Sequence, residues 1–283
     1  MERISPMLYN IIIPSFKRQK TLIKKTLKAL QKTDVWDCIE LGTVKLYVFV
    51  ASVEEKIVYE QEIKSTKNLN QVVIKVVVGV RGIPNQRNYI QKYFKLNERL
   101  LFIDDDISQI KGIDKCNKVV NATRLHSFIL SAFKQTEKLK IKMWGINSTV
   151  NPREMKQTVS FGRIYIVGNF YGLINTDKVF VDTGDWIKTR KHFKAGKESH
   201  ERALKMYDKF GGVLKYRAYG VVSKYWGEPG GHQISRNEEG EKDATMCLHK
   251  KYPHATKVRI YKGFYDLQIK PQTKVFKTNY VQV

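Results

Sequence analysis

The sequence predicts an α/β protein with a mostly parallel central sheet and helices on both faces of the sheet. Short apolar runs rich in β-branched residues alternate with segments of helical periodicity along the first part of the chain. These runs are apolar at nearly every position, which is typical of strands that are buried on both faces. At 283 residues, the chain has the length for one large domain of this class.

The first strands and helices are predicted from the apolar runs and from the positions of proline. Pro14 stops the first strand, and Pro84 opens the second predicted helix because proline fits the first turn of a helix. The predicted strands are residues 9–13, 44–51, 72–80 and 100–103, and the predicted helices between them are residues 18–30 and 84–94.

The later part of the chain continues the same alternation less clearly. We predict helices at residues 123–139 and 198–210 and strands at 163–167, 171–175 and 213–219. The charged segment 236–243 is interpreted as a mobile loop. Because no repeat or Pro/Gly/Ser-rich linker interrupts the chain, we expect one domain over residues 8–255 with a basic, aromatic C-terminal extension over 256–283 packed on it.

The charge balance indicates an anionic partner. The chain has 51 Lys and Arg residues against 27 Asp and Glu residues, a formal net charge of +24. Such a positive field attracts polyanions. We favour nucleic acid over a membrane surface because no basic amphipathic helix stands out. Codon bias in an AT-rich genome is the competing explanation for the many lysines.

The lack of a long apolar segment and the wide spacing of the cysteines predict that the protein lies in a reducing compartment. There is no run of 18 apolar residues, and the N-terminus has no signal-peptide pattern. The three cysteines are widely spaced, which predicts free thiols and no zinc site. We therefore expect a monomer in the cytoplasm, of a host cell if the protein is viral.

Three consecutive carboxylates end the apolar run of residues 100–103. Aspartates repel one another and are poor strand formers, so they belong where the strand leaves the sheet, and ligands bind at that edge of open α/β sheets. We predict that Asp104 and Asp106 bind Mg²⁺ or Mn²⁺, which can hold a diphosphate. Asp105 is expected to point to the opposite side and is counted among the cofactor-binding residues. A solvated acidic turn or a helix N-cap is the alternative.

Two other connections predict contacts to a nucleotide. After the first strand, Pro14 ends the hydrogen-bond ladder, and Ser15 and Arg18 can face a base or phosphate. Ser15 can equally cap the helix that follows. Glu54 follows the second strand, where the ribose or base would lie.

The third connection is rich in glycine and arginine. Glycine allows the backbone to approach a ligand closely, and Arg81 and Arg87 can neutralise phosphate. The alternative is that both arginines are solvated.

Taken together, the segments 11–18 (IIIPSFKR), 79–88 (GVRGIPNQRN) and 103–106 (IDDD) resemble the GT-A glycosyltransferases over about residues 8–255. The resemblance implies a Rossmann-like fold and transfer of a hexose or pentose from a nucleotide-diphosphate sugar, with UDP favoured, under Mn²⁺ or Mg²⁺. It also implies a glycine loop at the donor sugar, which Gly168 fits, and a carboxylate on a later helix.

That helix start carries the candidates for the catalytic base. The segment 196–204 (GKESHERAL) resembles the family's Glu-Asp helix start, but Ser199 stands where the family has Asp. We therefore rank Glu198 first, Asp185 second and Glu201 third. First-turn acids that only stabilise the helix dipole are the alternative.

A further resemblance indicates the chemical class of the acceptor. The segment 228–236 (EPGGHQISR) is similar to the glycosyltransferases associated with DNA-base oxygenases, including base J glucosyltransferase and many phage enzymes. It implies that the acceptor is 5-hydroxymethylcytosine or 5-hydroxymethyluracil in DNA, that Gly231 contacts the donor and that His232 binds the metal or diphosphate. The residues expected to contact the nucleic acid are Lys188, Arg190, Lys191, Lys194 and Arg236.

Three alternatives remain open on the sequence. The same fold can glycosylate protein, lipid or glycan, a similar sheet can carry a nucleotidyltransferase, and a decayed scaffold can bind DNA without catalysis. The sequence does not decide between inversion and retention.

Overall fold

The computed structural model describes residues 8–69, 71–147, 149–182, 196–223, 238–261 and 263–277. The strands are β1 Tyr9–Pro14, β2 Val44–Val50, β3 Ile74–Val78, β4 Arg99–Ile103, β5 Gln109–Ile113, β6 Val119–Asn121, β7 Met143–Asn147, β8 Thr158–Arg163, β9 Phe170–Ile174, β10 Val213–Val222, β11 Thr256–Tyr261, β12 Phe264–Ile269 and β13 Gln272–Lys277.

Seven helical segments connect these strands in the described residues. The first, α1, is Gln19–Leu22 continued by a π-helical turn, Ile23–Leu27, and by Lys28–Leu30. The others are α2 Val35–Glu40, α3 Val53–Ser65, α4 Ile83–Tyr93, α5 Leu125–Lys138, α6 Glu198–Phe210 and α7 Glu238–Lys251.

The strands form one large mixed sheet with the order β13-β8-β10-β7-β9-β4-β1-β2-β3, to which β5 and β6 are added at β10. Strands β3, β2, β1 and β4 are parallel neighbours. Strand β9 runs antiparallel between β4 and β7, and β7 and β10 are parallel again. The parallel strands therefore end at a common edge, where ligands bind in sheets of this kind.

Alternate side chains of the central strands enter two separate cores. Ile11 and Ile13 of β1 pack with α1, α2 and α5 on one face, and Ile12 packs with α4 and α6 on the other. The predicted α/β class with helices on both faces is confirmed. None of the helices in the described part of the chain is long and apolar enough to span a membrane.

Two predicted elements were wrong. The strand predicted at 163–167 ends at Arg163, because Ile166 packs into the α4–α6 core instead of continuing the ladder. The loop predicted at 236–243 is helical from Glu238 onward, where Glu241 is buried and pairs with Lys197 Nζ at 3.2 Å. Residues 236 and 237 lie outside the described residues.

The C-terminal extension contributes strands rather than a separate layer. β11 and β12 form a two-stranded sheet beside α7, and β13 pairs antiparallel with β8 at the edge of the main sheet. Residues 272–277 therefore belong to the main sheet, although the boundary predicted at residue 255 remains a prediction.

Candidate active site

The acidic turn of residues 104–106 follows β4 at the common edge of the parallel strands. Arg18 Nη1 lies 3.2 Å from Asp105 Oδ1 and 3.5 Å from Asp106 Oδ2, and Ser15 Oγ donates to Asp105 Oδ2 at 2.5 Å. Asp105 and Asp106 therefore meet the same arginine, and the expectation that Asp105 points away from Asp106 was wrong. The strand ends at Ile103, so strict alternation of side chains does not extend into the turn.

Asp104 faces a different arginine. Its Oδ1 lies 3.0 Å from Arg87 Nη2, and 34% of its side chain remains exposed, against 11% for Asp106. Desolvation, with repulsion from the neighbouring aspartates and Glu198, outweighs the attraction of Arg87 and raises the pKa of Asp104 to about 7.

Arg87 is the centre of a buried network. Its Nη1 donates to Glu198 Oε2 at 2.6 Å, its Nη2 donates to the carbonyl oxygen of Gly168 at 2.6 Å, and its guanidinium lies 5.6 Å from the centroid of the Tyr171 ring. A Cβ atom at Gly168 would lie 2.6 Å from Arg87 Nη1. This glycine therefore allows the close approach of Arg87 and of Ser199, whose Oγ would lie 2.5 Å from that Cβ.

Glu198 is held between two cations. Arg87 contacts one carboxylate oxygen, and Arg202, one helical turn further along α6, contacts the other and also the Tyr171 hydroxyl. Burial raises the pKa of Glu198, but the two arginines outweigh burial and lower it below its ordinary value. A buried carboxylate with a lowered pKa and an arginine on each oxygen is a weak proton acceptor, so it does not suit a general base. We infer that Glu198 positions Arg87.

The other base candidates differ in accessibility. Glu201 is fully buried, accepts a hydrogen bond from the backbone nitrogen of Asp182 at 2.9 Å and pairs with Lys205 Nζ at 3.1 Å. It therefore braces α6 against the preceding segment. Asp185 lies outside the described residues.

The connection after β1 is held in place by a tyrosine that no sequence motif singles out. The Tyr59 hydroxyl on α3 lies 2.7 Å from Ser15 Oγ and accepts from the backbone nitrogen of Arg18 at 2.9 Å. Glu54 is exposed, whereas Glu55 bridges two loops by accepting from the backbone nitrogens of residues 17 and 51 at 2.8 Å.

Gln86 fixes the connection after β3 in a similar way. It accepts from the backbone nitrogen of Val80 at 2.7 Å and donates to the carbonyl oxygen of Val50 at 3.1 Å. Arg81 is exposed, and its guanidinium lies 5.5 Å from the centroid of the Phe16 ring. An exposed cation beside an aromatic ring suits a nucleotide, because the ring can stack on the base.

Several predicted residues lie outside the described residues. They are Asp185, Lys188, Arg190, Lys191, Lys194, Gly231, His232 and Arg236. Within the described ranges, no group of three His, Cys, Asp or Glu residues is arranged as a complete metal site. His232, the further ligand predicted from the sequence, belongs to the residues that the structure does not describe.

His200 lies on α6 between Glu198 and Glu201. Its pKa, lowered to about 4, leaves the ring neutral at physiological pH. Its ring stacks on Tyr165 with 4.2 Å between centroids, and its Nδ1 has no hydrogen-bond partner in the described ranges. Burial and then repulsion from Lys197 lower its pKa to about 4, against weaker opposing effects of Asp266 and Glu241.

This shift predicts a pH-dependent stability. The unfolded chain takes up a proton at His200 near pH 6.5, whereas the folded protein does so only near pH 4. The contribution of His200 is therefore fully present above pH 6.5 and is lost as pH falls toward 4. In thermal unfolding followed by circular dichroism, His200→Phe should lose less stability over this window than the original protein. Parallel curves for the two proteins would exclude this role.

Comparison with known proteins supports the architecture. No family model and no curated sequence matches this chain. Among solved structures, S. aureus TarS in complex with UDP-GlcNAc superposes with a TM-score of 0.50 and 16% identity, covering 83% of this chain and 63% of that one. GalNAc-T7 with UDP, GalNAc and Mn²⁺ also has a TM-score of 0.50, with 12% identity, covering 87% of this chain and 50% of that one.

The chain has the GT-A fold. At these identities the likeness concerns the fold, and the chain spans between half and two thirds of the length of these two proteins. Within the GT-A fold, the acidic turn, Arg18 and Arg87 lie together at the edge where the parallel strands end. Of the site residues predicted on the first half of the sequence, Ser15, Arg18 and Arg87 contact this turn.

Proposed function

We propose that this protein is a metal-dependent glycosyltransferase that moves a sugar from a nucleotide-diphosphate donor to a hydroxymethylated pyrimidine in DNA. The observation that carries the proposal is the turn of Asp104, Asp105 and Asp106, held against Arg18 and Arg87 at the ligand-binding edge of a GT-A fold. Both solved GT-A structures compared above contain UDP or a UDP-sugar, and one of them contains Mn²⁺.

The acidic turn fits a divalent cation. Asp104 is partly exposed, and in the described ranges only its Oδ1 is engaged by another side chain. Burial and the neighbouring carboxylates raise the pKa of Asp104, and Mg²⁺ or Mn²⁺ would stabilise its ionised form. Asp104 and Asp106 would hold the ion, with His232 as a further ligand. When bound, the ion stabilises the departing diphosphate.

Arg18, Arg87 and Arg81 have different roles at the donor site. Arg18 is fixed by Asp105 and Asp106, and Arg87 is fixed by Glu198, so both are preorganised rather than ordered on binding. Arg81 is exposed near Phe16 and can contact phosphate while the ring meets the base. Pro14 and Ser15 close this side of the donor site, and Gly231 is expected on the other.

Asp185 becomes the preferred catalytic base once Glu198 is assigned to Arg87 and Glu201 to the bracing of α6. A carboxylate at Asp185 that takes the proton of the attacking hydroxyl would give inversion at the anomeric carbon. The stereochemistry of the products therefore tests this assignment independently of the metal.

The DNA acceptor is supported by the net charge of +24 and by the resemblance of segment 228–236 to the DNA-modifying enzymes. A protein, lipid or glycan acceptor is the second candidate, and it predicts no salt-dependent affinity for DNA. A nucleotidyltransferase would instead release pyrophosphate from a nucleoside triphosphate. A DNA-binding protein without catalysis would keep its full function in Asp104→Ala.

Removal of metal tests the donor half of the proposal. Protein treated with EDTA should hydrolyse UDP-sugars at a background rate, and Mn²⁺ or Mg²⁺ should restore the activity, as measured by release of UDP. Circular dichroism before and after treatment controls for unfolding. Undiminished hydrolysis in metal-free protein would contradict the proposed mechanism.

A further inference from the structure

Lys215 is a half-buried cation for which the described residues provide no hydrogen bond or ion pair. It lies on β10, opposite Ser160 of β8 and Gly145 of β7. Ile166 covers Gly145 so closely that a Cβ there would lie 2.3 Å from the Ile166 side chain. Lys215 is thus the strand neighbour of a glycine that is covered by an apolar side chain, and a charged ammonium group in such surroundings is costly unless an anion accompanies it.

Repulsion from a neighbouring cation further destabilises the charged form of Lys215. Burial, followed by repulsion from Arg217, lowers the pKa of Lys215 to about 8, although Glu154 opposes the shift. Arg217 lies two residues further along the same strand, so both side chains project from the same face of the sheet. Its Nη2 donates to the carbonyl oxygen of Glu154 at 3.2 Å.

Further donors lie on this face across the neighbouring strands. Lys277 of β13 is exposed and pairs in register with Thr158 of β8. The Thr158 hydroxyl is buried and has no hydrogen-bond partner among the described residues. Ser160, opposite Lys215, adds a second hydroxyl. Lysine, arginine and hydroxyl groups on one face of neighbouring strands are the donor set of a phosphate site, with Glu154 as the carboxylate that also acts on Lys215.

This face of β10 lies within reach of a DNA acceptor that is bound at the acidic turn. Strands β10 and β4 run in the same direction and are separated by β7 and β9. Three strand spacings place β10 about 14 Å from the acidic turn. That distance corresponds to about four nucleotide steps along one DNA strand. A strand whose modified base reaches the acidic turn can thus bring a phosphate to β10.

We propose that Lys215, Arg217 and Lys277, with the hydroxyls of Thr158 and Ser160, bind a backbone phosphate of the DNA acceptor. This inference rests on the proposed function, because it assumes that DNA is the acceptor. The diphosphate of the donor is the other source of the same chemistry, and the experiment separates the two.

The test is fluorescence anisotropy with a labelled hydroxymethylated duplex at salt concentrations between about 50 and 200 mM. Lys215→Met and Arg217→Gln should each weaken binding and reduce the slope of log K against log salt by about 0.9, the value for one lost phosphate contact. Lys134→Met, which removes an exposed charge on α5 at the other face of the sheet, should match the original protein. Lys215→Arg keeps the charge and should retain the slope, and circular dichroism checks the fold of each variant.

The outcomes separate this inference from the proposed function. If the original protein binds DNA and Lys215→Met and Arg217→Gln behave like Lys134→Met, the phosphate site is wrong and the DNA acceptor stands. If Lys215→Met weakens UDP binding as much as DNA binding, the site belongs to the donor and the inference is overturned. If the original protein does not bind the duplex at low salt, the DNA acceptor and this site both fail.

Discussion

Asp104→Asn and Asp106→Asn should each reduce sugar transfer by about a thousandfold or more. The amide has nearly the shape of the carboxylate but lacks the charge that holds a hard divalent cation. A metal-bound diphosphate is worth several kcal/mol in the transition state, and about 4 kcal/mol corresponds to a thousandfold in rate. The measurement is kcat for transfer with saturating donor and Mn²⁺, together with Mn²⁺ affinity from electron paramagnetic resonance.

Asp177→Asn is the matched control, because Asp177 is exposed and pairs only with the adjacent Lys178 at 3.7 Å in the described ranges. Asp105→Asn should lower the stability of the fold, because Asp105 makes buried contacts with Ser15 and Arg18. Normal transfer and normal Mn²⁺ binding by Asp104→Asn and Asp106→Asn would remove the acidic turn from the mechanism.

Arg87→Gln should lower the free energy of unfolding by about 3–5 kcal/mol, the usual cost of removing one partner from a buried ion pair. The substitution leaves Glu198 buried with Arg202 alone, and it leaves Asp104 without its arginine. Transfer should be lost as well, since Arg87 lies between the acidic turn and α6. Urea unfolding followed by circular dichroism measures the free energy of unfolding.

Arg99→Gln provides the comparison within the same chain. Arg99 pairs with Glu137 at 2.8 Å on the surface, where such pairs contribute up to about 1 kcal/mol. Arg87→Lys separates charge from geometry, because lysine cannot bridge two carboxylates and a carbonyl oxygen as the guanidinium does. Similar stabilities for Arg87→Gln and Arg99→Gln would show that the buried network contributes little.

The elements that the sequence predicted well are those with strong local signals. The strand before Asp104 is a continuous apolar run, and α6 begins with acidic residues and ends at Gly211, whose positive φ of 77° suits a helix C-terminus. Helix α3 was missed because its apolar residues do not form one face: Tyr59 and Ile63 are buried, whereas Val53 and Ile57 are exposed.

The contacts that organise the site could not be predicted in the same way. Arg87 and Glu198 are 111 positions apart, and no local pattern pairs them. Only Arg202 carried a usable signal, because it lies four residues after Glu198 on a predicted helix. The sequence thus identified the residues at the strand ends but not that Glu198 is committed to arginine.

Nucleoside mass spectrometry tests the central claim most directly. The protein would be incubated with hydroxymethylated and with unmodified duplex DNA, Mn²⁺ and a panel of nucleotide sugars, and the DNA would then be digested to nucleosides. We expect one donor to yield a nucleoside heavier by one sugar residue, only from hydroxymethylated DNA and only with metal present. Unmodified nucleosides with every donor, or the same product from Asp104→Asn, would contradict the account.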